Sequence, residues 1–303
     1  MTQARLIKPR RLSPGATVGV VAPAGRVDSN DLQQGIVYLE RMGFKVILGR
    51  HIEKAYRYFA GKDQERAEDL SSMLSNQEVA AVLCARGGFG SARILPYLDL
   101  ARLSISPKIF VGSSDITTLL HFLSKKLSWV TFHGPMVATQ FGKNPTVSME
   151  KNFLQILSGE AVEMRFPGVT ALRSGAAEGV LTGGCLTLLC ATVGTDYEIE
   201  TEGKILFLED TDEPPFRIDR MLTYLKAIKK FDSVEGVVFG QMPRCQPELL
   251  SEIIMDILAD FRFPILFGFP SGHGDGTATL PFGVSVRLDG GVCSLRMVES
   301  AVF

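Results

Sequence analysis

Short apolar, β-rich runs alternate with helical patterns through the first half of this chain, and that alternation limits its fold more than any other feature. TVGVVAPA (Thr17 to Ala24) is a compact apolar run ended by Pro and Gly, and it reads as a buried strand. Ser29 is placed to cap a helix that carries Leu32, Ile36 and Leu39 on one face. Gly43 stops that helix and FKVIL follows as a strand. The pattern then recurs. A polar helix over about 63–74 leads to the strand VAAVLCA, the turn RGGFG and a short helix from Ser91. The strand KIFVG leads to the turn SSD, the helix ITTLLHFLSKK and the strand SWVTFHG. Strands separated by helices require right-handed crossovers and a mainly parallel sheet. Such sheets gather ligands at the loops leaving the C-terminal ends of their strands, where RGGFG and GSSD both fall.

Around residues 158–184 the composition shifts to Gly, Ala, Ser and Thr, which reads as the passage between two domains. Beyond it lie the strand KILFLED, a helix over about 217–228, the strand VEGVVFG and an amphipathic helix presenting Leu249, Leu250, Ile253, Ile254, Ile257 and Phe261. PILFGFPSGHG and the β-rich runs VSVRLDG and VCSLRMV close the chain. The expected fold class is α/β, with a domain over 1–157, a linker over 158–179 and a smaller α/β domain over 180–303.

Composition narrows the function classes. The chain has 303 residues and a formal net charge of −1, which gives no footprint for nucleic acid or an anionic membrane. No window approaches the roughly 18–20 apolar residues that span a bilayer, and the basic start lacks the apolar segment of a secretory signal. Cys84, Cys185, Cys190, Cys245 and Cys293 are an odd number without a CxxC pair, against a disulfide framework or a zinc cluster. These features point to a cytoplasmic protein with neither metal nor other cofactor.

Four segments carry candidate chemistry. In FVGSSDITTLL a serine on a strand-to-helix bend presents its hydroxyl at the sheet edge, and free N–H groups of the next turn can hold an oxyanion. The arrangement works like a nucleophile elbow, although the sequence is not GxSxG. Helix capping by Ser113, Ser114 or Asp115 explains the same residues. Glycines in RGGFG (Arg86 to Gly90) let backbone amides approach a ligand, as a second oxyanion donor, a phosphate cradle or a plain tight turn. In LEDTDEPPFRIDR the acids Glu209, Asp210, Asp212 and Glu213 follow an apolar strand, where carboxylates orient a histidine, bind a metal or cap the next helix. Capping explains Glu209, nearest the strand, least well. Of the four histidines, His121 lies inside a helix and His133 ends a strand near the active edge. His273 stands in the glycine-flanked turn FPSGHGDG, a setting suited to a general base. With no HxH or HxxxH pair, metal ligation is the weaker reading.

Taken together, GVVAPAG, ARGGFGSARILPYLD, GSSDITTLL, VTFHGPM, GVLTGGCLTLL, KILFLEDTDEPPFRIDRML and GFPSGHG resemble the LD-carboxypeptidase family, which includes microcin-immunity peptidases. The resemblance implies an N-terminal Rossmann-like domain bearing the nucleophile Ser114, and a C-terminal α/β domain bearing the triad residues Glu209 and His273. The active site would lie between the domains. It also implies a small murein peptide as substrate, hydrolysis of an L,D bond with release of a terminal D-amino acid, and a homodimer. On triad logic His273 takes the Ser114 proton, Glu209 orients the imidazole, and backbone N–H groups of Asp115 with Gly87 or Gly88 bind the oxyanion. Arg86, Arg217 and Arg220 are candidates for the substrate carboxylate, although surface or helix-end roles suit each equally. Two positions depart from the family pattern: Ser113 stands where an aromatic residue often precedes the nucleophile, and Cys185 where Asn commonly follows the glycine pair. They bear on substrate contacts, and Ser113 as nucleophile is the alternative register. The rival activities are hydrolysis of aminoacyl-nucleotide conjugates, ligand binding without catalysis, and metal-assisted hydrolysis on the acidic cluster.

Overall fold

The computed structural model describes residues 6–103, 106–243, 245–274 and 276–303. The buried apolar runs of the first half become β1 (Thr17–Val21), β2 (Lys45–Leu48), β3 (Val79–Cys84), β4 (Ile109–Gly112) and β5 (Thr131–His133). All four pairings among them are parallel, as helical crossovers require. Their order, β5-β4-β3-β1-β2, reverses direction between β1 and β3. The connections leaving those two strands therefore run to helices on opposite faces of the sheet, the position at which sheets of this winding bind ligands.

The second sheet contains β6 (Glu163–Arg165), β7 (Thr170–Arg173), β8 (Ala176–Cys185), β9 (Lys204–Glu209), β10 (Gly236–Phe239) and β11 (Ile265–Phe267). It also holds β13 (Ser285–Asp289) and β14 (Ser294–Met297), whereas the short β12 (Leu280–Phe282) between β11 and β13 goes elsewhere. The core β8-β9-β10-β11 is parallel and the flanking strands are antiparallel. The fold is thus α/β throughout. The stretch read as a linker carries β6 and β7, which close the two edges of this sheet. Strands of three and four residues are too short to show a readable alternation in a sequence.

β12 joins the first sheet instead, antiparallel to β5, with Leu280 opposite His133. One strand from the last quarter of the chain thereby seals the edge of the N-terminal sheet. The helix after β1 also differs in detail from the sequence reading. Asp28, not Ser29, caps it, its carboxylate accepting from the N–H groups of Asn30 and Asp31 at 3.0 Å, with Ser29 already helical.

Two histidines lie deep between the layers. The imidazole of His121 is 2.8 Å from the Gly183 carbonyl, tying the helix Thr117–Leu127 to β8. His133 is fully buried, packed edge-on against Phe207 at 5.0 Å between ring centroids, and neither ring nitrogen has a hydrogen-bond partner among the described residues. Burial pushes His121 down to about 4 and His133 down to about 3. An unfolded chain takes up those protons near pH 6.5. The contribution of these neutral rings is therefore complete above pH 6.5 and lost as pH falls toward 4. Melting curves of the wild type and His133→Asn across pH 7 to 4.5 should show a shallower acid decline in the variant. Parallel declines would remove His133 from this account.

Candidate active site

Three loops meet beside the serine. The Gly25 N–H donates to the Gly87 carbonyl at 3.0 Å, and the Arg26 N–H to the Tyr58 carbonyl at 3.1 Å. These contacts bring the ends of β1 and β3 together over the turn that follows β4. Ser114 begins that turn with φ +61°, a left-handed backbone seldom adopted by serine and of the kind that stores strain at active sites. The bend holds the side chain half-exposed while Ser113, just before it, is 2% exposed.

Gly87 lies directly against the serine. A Cβ on Gly87 would stand 2.7 Å from Ser114 Cβ, 2.9 Å from its Oγ and 3.3 Å from the Asp115 nitrogen. Only a residue without a side chain fits, so the backbone of the glycine loop and the Asp115 amide flank the hydroxyl on one side. Gly88 turns away with φ +111° and backs onto Gly25. Gly87→Ala is expected to leave the fold intact and lower kcat/KM by about 10²-fold or more, because displacing a reacting group by about 1 Å costs that much. Full activity in that variant, measured beside its melting curve, would separate the glycine loop from the chemistry.

The glycine loop is braced by Asp115, which the sequence offered as a helix cap and an oxyanion donor, and by Ser91 and Arg66, which it did not single out as site residues. The Asp115 carboxylate accepts from the Ser91 N–H at 2.8 Å, and the Asp115 carbonyl accepts from the Ser91 hydroxyl at 2.6 Å. Burial raises the Asp115 carboxyl while the Ser91 bonds work against it. Beneath lies Arg66, 1% exposed, which donates to the carbonyls of Pro23 and Gly90 and to Asp63, with its guanidinium 4.8 Å over the Phe59 ring. Such an arginine is costly to bury unless paired, and of its nitrogens Nε alone finds no hydrogen-bond partner among the described residues. It sits on a helix that looks merely polar in sequence, and no local signal marks it.

The second half supplies an acid and an imidazole. Glu209 ends β9 completely buried, and its Oε2 is 2.6 Å from His273 Nδ1. Burial alone would lower the His273 imidazole. The hydrogen bond and charge of Glu209, with the fields of Asp210 and Asp212, outweigh it and hold the ring above its ordinary value. Burial likewise pushes the Glu209 carboxyl up, opposed by His273. Asp210 faces away, accepting from the N–H and hydroxyl of Thr187 and from the Thr211 N–H, each at 2.8 Å. Among the described residues no group of His, Cys, Asp and Glu is arranged to hold a metal ion, and no helix is long and apolar enough to cross a membrane.

The two halves touch next to these residues. Cys185, opposite Glu209 in the β8–β9 register, donates its N–H to Thr117 Oγ1 at 3.2 Å, one helical turn beyond Ser114. A Cβ on Gly184 would lie 2.6 Å from Thr117 Cγ2. The helix that follows the serine turn is therefore in van der Waals contact with β8, the strand paired with the acid strand. No hydrogen bond joins Ser114 Oγ to His273 among the described residues. Catalytic hydrogen bonds commonly tighten only once substrate is bound.

Of the arginines, Arg86 is half-buried in the glycine loop, its Nη1 donating to the Arg26 carbonyl at 3.2 Å and its Nε without a hydrogen-bond partner among the described residues. Arg217 and Arg220 are exposed on the helix Pro215–Ala227. Arg217 pairs with Glu213 at 3.1 Å, and Arg220 lies 5.6 Å over the Phe216 ring. A cavity of about 680 Å³ opens elsewhere between the sheets, lined by His121, Lys125, Thr182, Lys204 and Phe282 among others, and none of Ser114, Glu209 or His273 lines it.

Comparison with known proteins places these features in context. The LD-carboxypeptidase N-terminal domain matches residues 18–134 and the LD-carboxypeptidase C-terminal domain matches residues 178–288. A probable murein peptide carboxypeptidase of Bacillus subtilis is 39% identical over 292 residues, covering 93% of this chain and 91% of that protein. A crystal structure of muramoyltetrapeptide carboxypeptidase from Oxalobacter formigenes superposes with TM-score 0.83 at 28% identity, over 93% of this chain and 98% of that one. The microcin C7 self-immunity protein, known from Escherichia coli, superposes in its wild-type apo state with TM-score 0.91 at 25% identity, over 98% of this chain and 100% of that one.

Proposed function

This chain belongs to the LD-carboxypeptidase family, and from that premise we propose that it is a serine carboxypeptidase that removes the terminal D-amino acid from a murein tetrapeptide. Its nucleophile is Ser114, its general base His273 and its orienting acid Glu209. The observation that carries the assignment is the Glu209–His273 bond of 2.6 Å ending on a strand whose neighbour is hydrogen-bonded to the serine's own helix.

The chemistry follows from the geometry. His273 Nδ1–H is held by the Glu209 carboxylate, which leaves Nε2 as the basic nitrogen. As Ser114 Oγ attacks the scissile carbonyl, Nε2 takes its proton and later returns it to the departing amine. The Asp115 N–H, with Gly87 or Gly88, receives the developing oxyanion. One such donor is worth about 3 kcal/mol in the transition state. Arg86, half-buried in the same loop with an unpartnered Nε, supports the reading of a group that meets the substrate's carboxylate. Arg217 and Arg220 already spend their guanidinium groups on Glu213 and Phe216.

The 39% identity to a protein named a probable murein peptide carboxypeptidase favours a peptide over an aminoacyl-nucleotide conjugate. Mass analysis of murein tetrapeptide and of an aminoacyl-sulfamoyl adenosine, each incubated with the protein, tests this directly. Loss of one D-alanine from the peptide is expected. Turnover of the nucleotide conjugate alone would reassign the substrate.

A further inference from the structure

Ser91 belongs to none of the reacting groups, yet it joins the two segments that must meet around a developing oxyanion. It is fully buried at the start of the short helix Ser91–Ile94, and residues 88–90 alone separate it from Gly87. Both of its polar groups are committed to one partner. Its N–H donates to the Asp115 carboxylate at 2.8 Å, and its hydroxyl donates to the Asp115 carbonyl at 2.6 Å. The Gly90 N–H acts on the same carboxylate. Asp115 is buried as well, so water does not compete for these bonds, and two bonds from different directions fix the residue in place and in rotation.

Each end of this link is under constraint. Ser114, one residue before Asp115, has φ +61°, and a backbone of that kind persists only where its surroundings over-determine it. Gly87 sits so close that an added Cβ would stand 2.9 Å from Ser114 Oγ and 3.3 Å from the Asp115 nitrogen. With no side chain between them, the two backbones meet at a distance that must be set from elsewhere. Arg66 steadies the glycine loop through the Gly90 carbonyl at 2.9 Å, and Ser91 ties that loop to the serine turn.

Resting on the carboxypeptidase reading, we propose that Ser91 is a positioning residue of the hydrolysis: by clamping Asp115 it sets the separation of the Asp115 N–H from the glycine-loop amides, and so their fit to the oxyanion. It touches no substrate and moves no proton. The demand on it falls in the transition state. A planar carbonyl tolerates loosely placed donors, whereas the tetrahedral oxyanion gains from both only at hydrogen-bond length. Displacement by about 1 Å is worth about 10²-fold in rate, and losing one of the two bonds of the clamp spends part of that.

Ser91→Ala removes a single oxygen and keeps the N–H bond, and three readouts beside the wild type test the role. On murein tetrapeptide, kcat should fall about tenfold or more while KM stays within about twofold. The acid limb of the pH profile should stay in place, because Glu209 and His273 are untouched. The third readout needs no peptide. An alkyl fluorophosphonate labels Ser114 when Oγ displaces fluoride at phosphorus, with the phosphoryl oxygen in the oxyanion position. Labelling followed by intact mass should slow about tenfold. If Ser91 only starts its short helix, the variant melts lower but keeps the wild-type kcat and labelling rate, which overturns the proposal. So does a KM that rises as far as kcat falls, or a displaced acid limb. Failure of the wild type to release D-alanine overturns the functional reading, and the labelling rates still decide Ser91. A wild type that also resists the label has no activated serine to position, and the proposal falls too.

Discussion

Ser114→Ala is expected to lower kcat for D-alanine release by about 10⁵-fold or more while the protein still folds. Removing the nucleophile of a serine triad costs about as much as removing the whole triad, because the base and acid act only through it. What remains is binding and the oxyanion donors. The backbone adds a second readout. At φ +61° a serine or alanine side chain crowds its own carbonyl at a cost of about 1 kcal/mol, which glycine does not incur. Ser114→Gly should therefore be as inactive as Ser114→Ala yet melt higher, by roughly 2 °C for a chain of this size. Persistent D-alanine release from Ser114→Ala would shift attention to Ser113. That serine is 2% exposed and thus poorly placed to meet a substrate.

Glu209→Gln should cost about 10⁴-fold in kcat, the scale seen when a triad acid becomes its amide and the histidine settles in the wrong tautomer. The pH profile carries the mechanistic information. His273 must be neutral to accept the serine proton, and in the wild type Glu209 holds its pKa above the ordinary value near 6.5 despite burial. The acid limb of kcat/KM should accordingly lie above pH 6.5. With the carboxylate gone, burial is opposed only by the fields of Asp210 and Asp212, and the limb should move to lower pH. Among the described residues all the hydrogen bonding of the Glu209 carboxylate goes to His273, since Oε1 has no partner there, so the variant isolates this one interaction. An unmoved limb would show that some other group titrates, and the acid would then be a buried structural residue.

These expectations rest on features legible to different degrees in the amino-acid order. Ser114, Glu209 and His273 each stand at a strand end or in a glycine turn, positions that a sequence marks through apolar runs and small residues. The structure joins Glu209 to His273 directly and sets Gly87 against Ser114. Ser29 was legible as a helix start but not as the capping residue, because one residue of register decides which carboxylate or hydroxyl meets the free N–H groups. Arg66, the Asp115 carboxylate and Thr117 were illegible as site residues. Their partners lie on other loops, and a buried arginine on a polar helix looks like a solvated one until the tertiary fold covers it.

By itself the sequence determined the α/β alternation and the parallel core, since apolar strand runs split by amphipathic helices have few other ways to bury their surface. It also marked the family through motifs spread along most of the chain. Tertiary structure alone decided that β6 and β7 close the edges of the second sheet, and that β12 returns to seal the first beside His133. The reason is physical. Periodicity records which faces are covered, whereas edge pairing and the contact of distant loops depend on backbone hydrogen bonds, which every residue but proline can make and which leave little trace in composition.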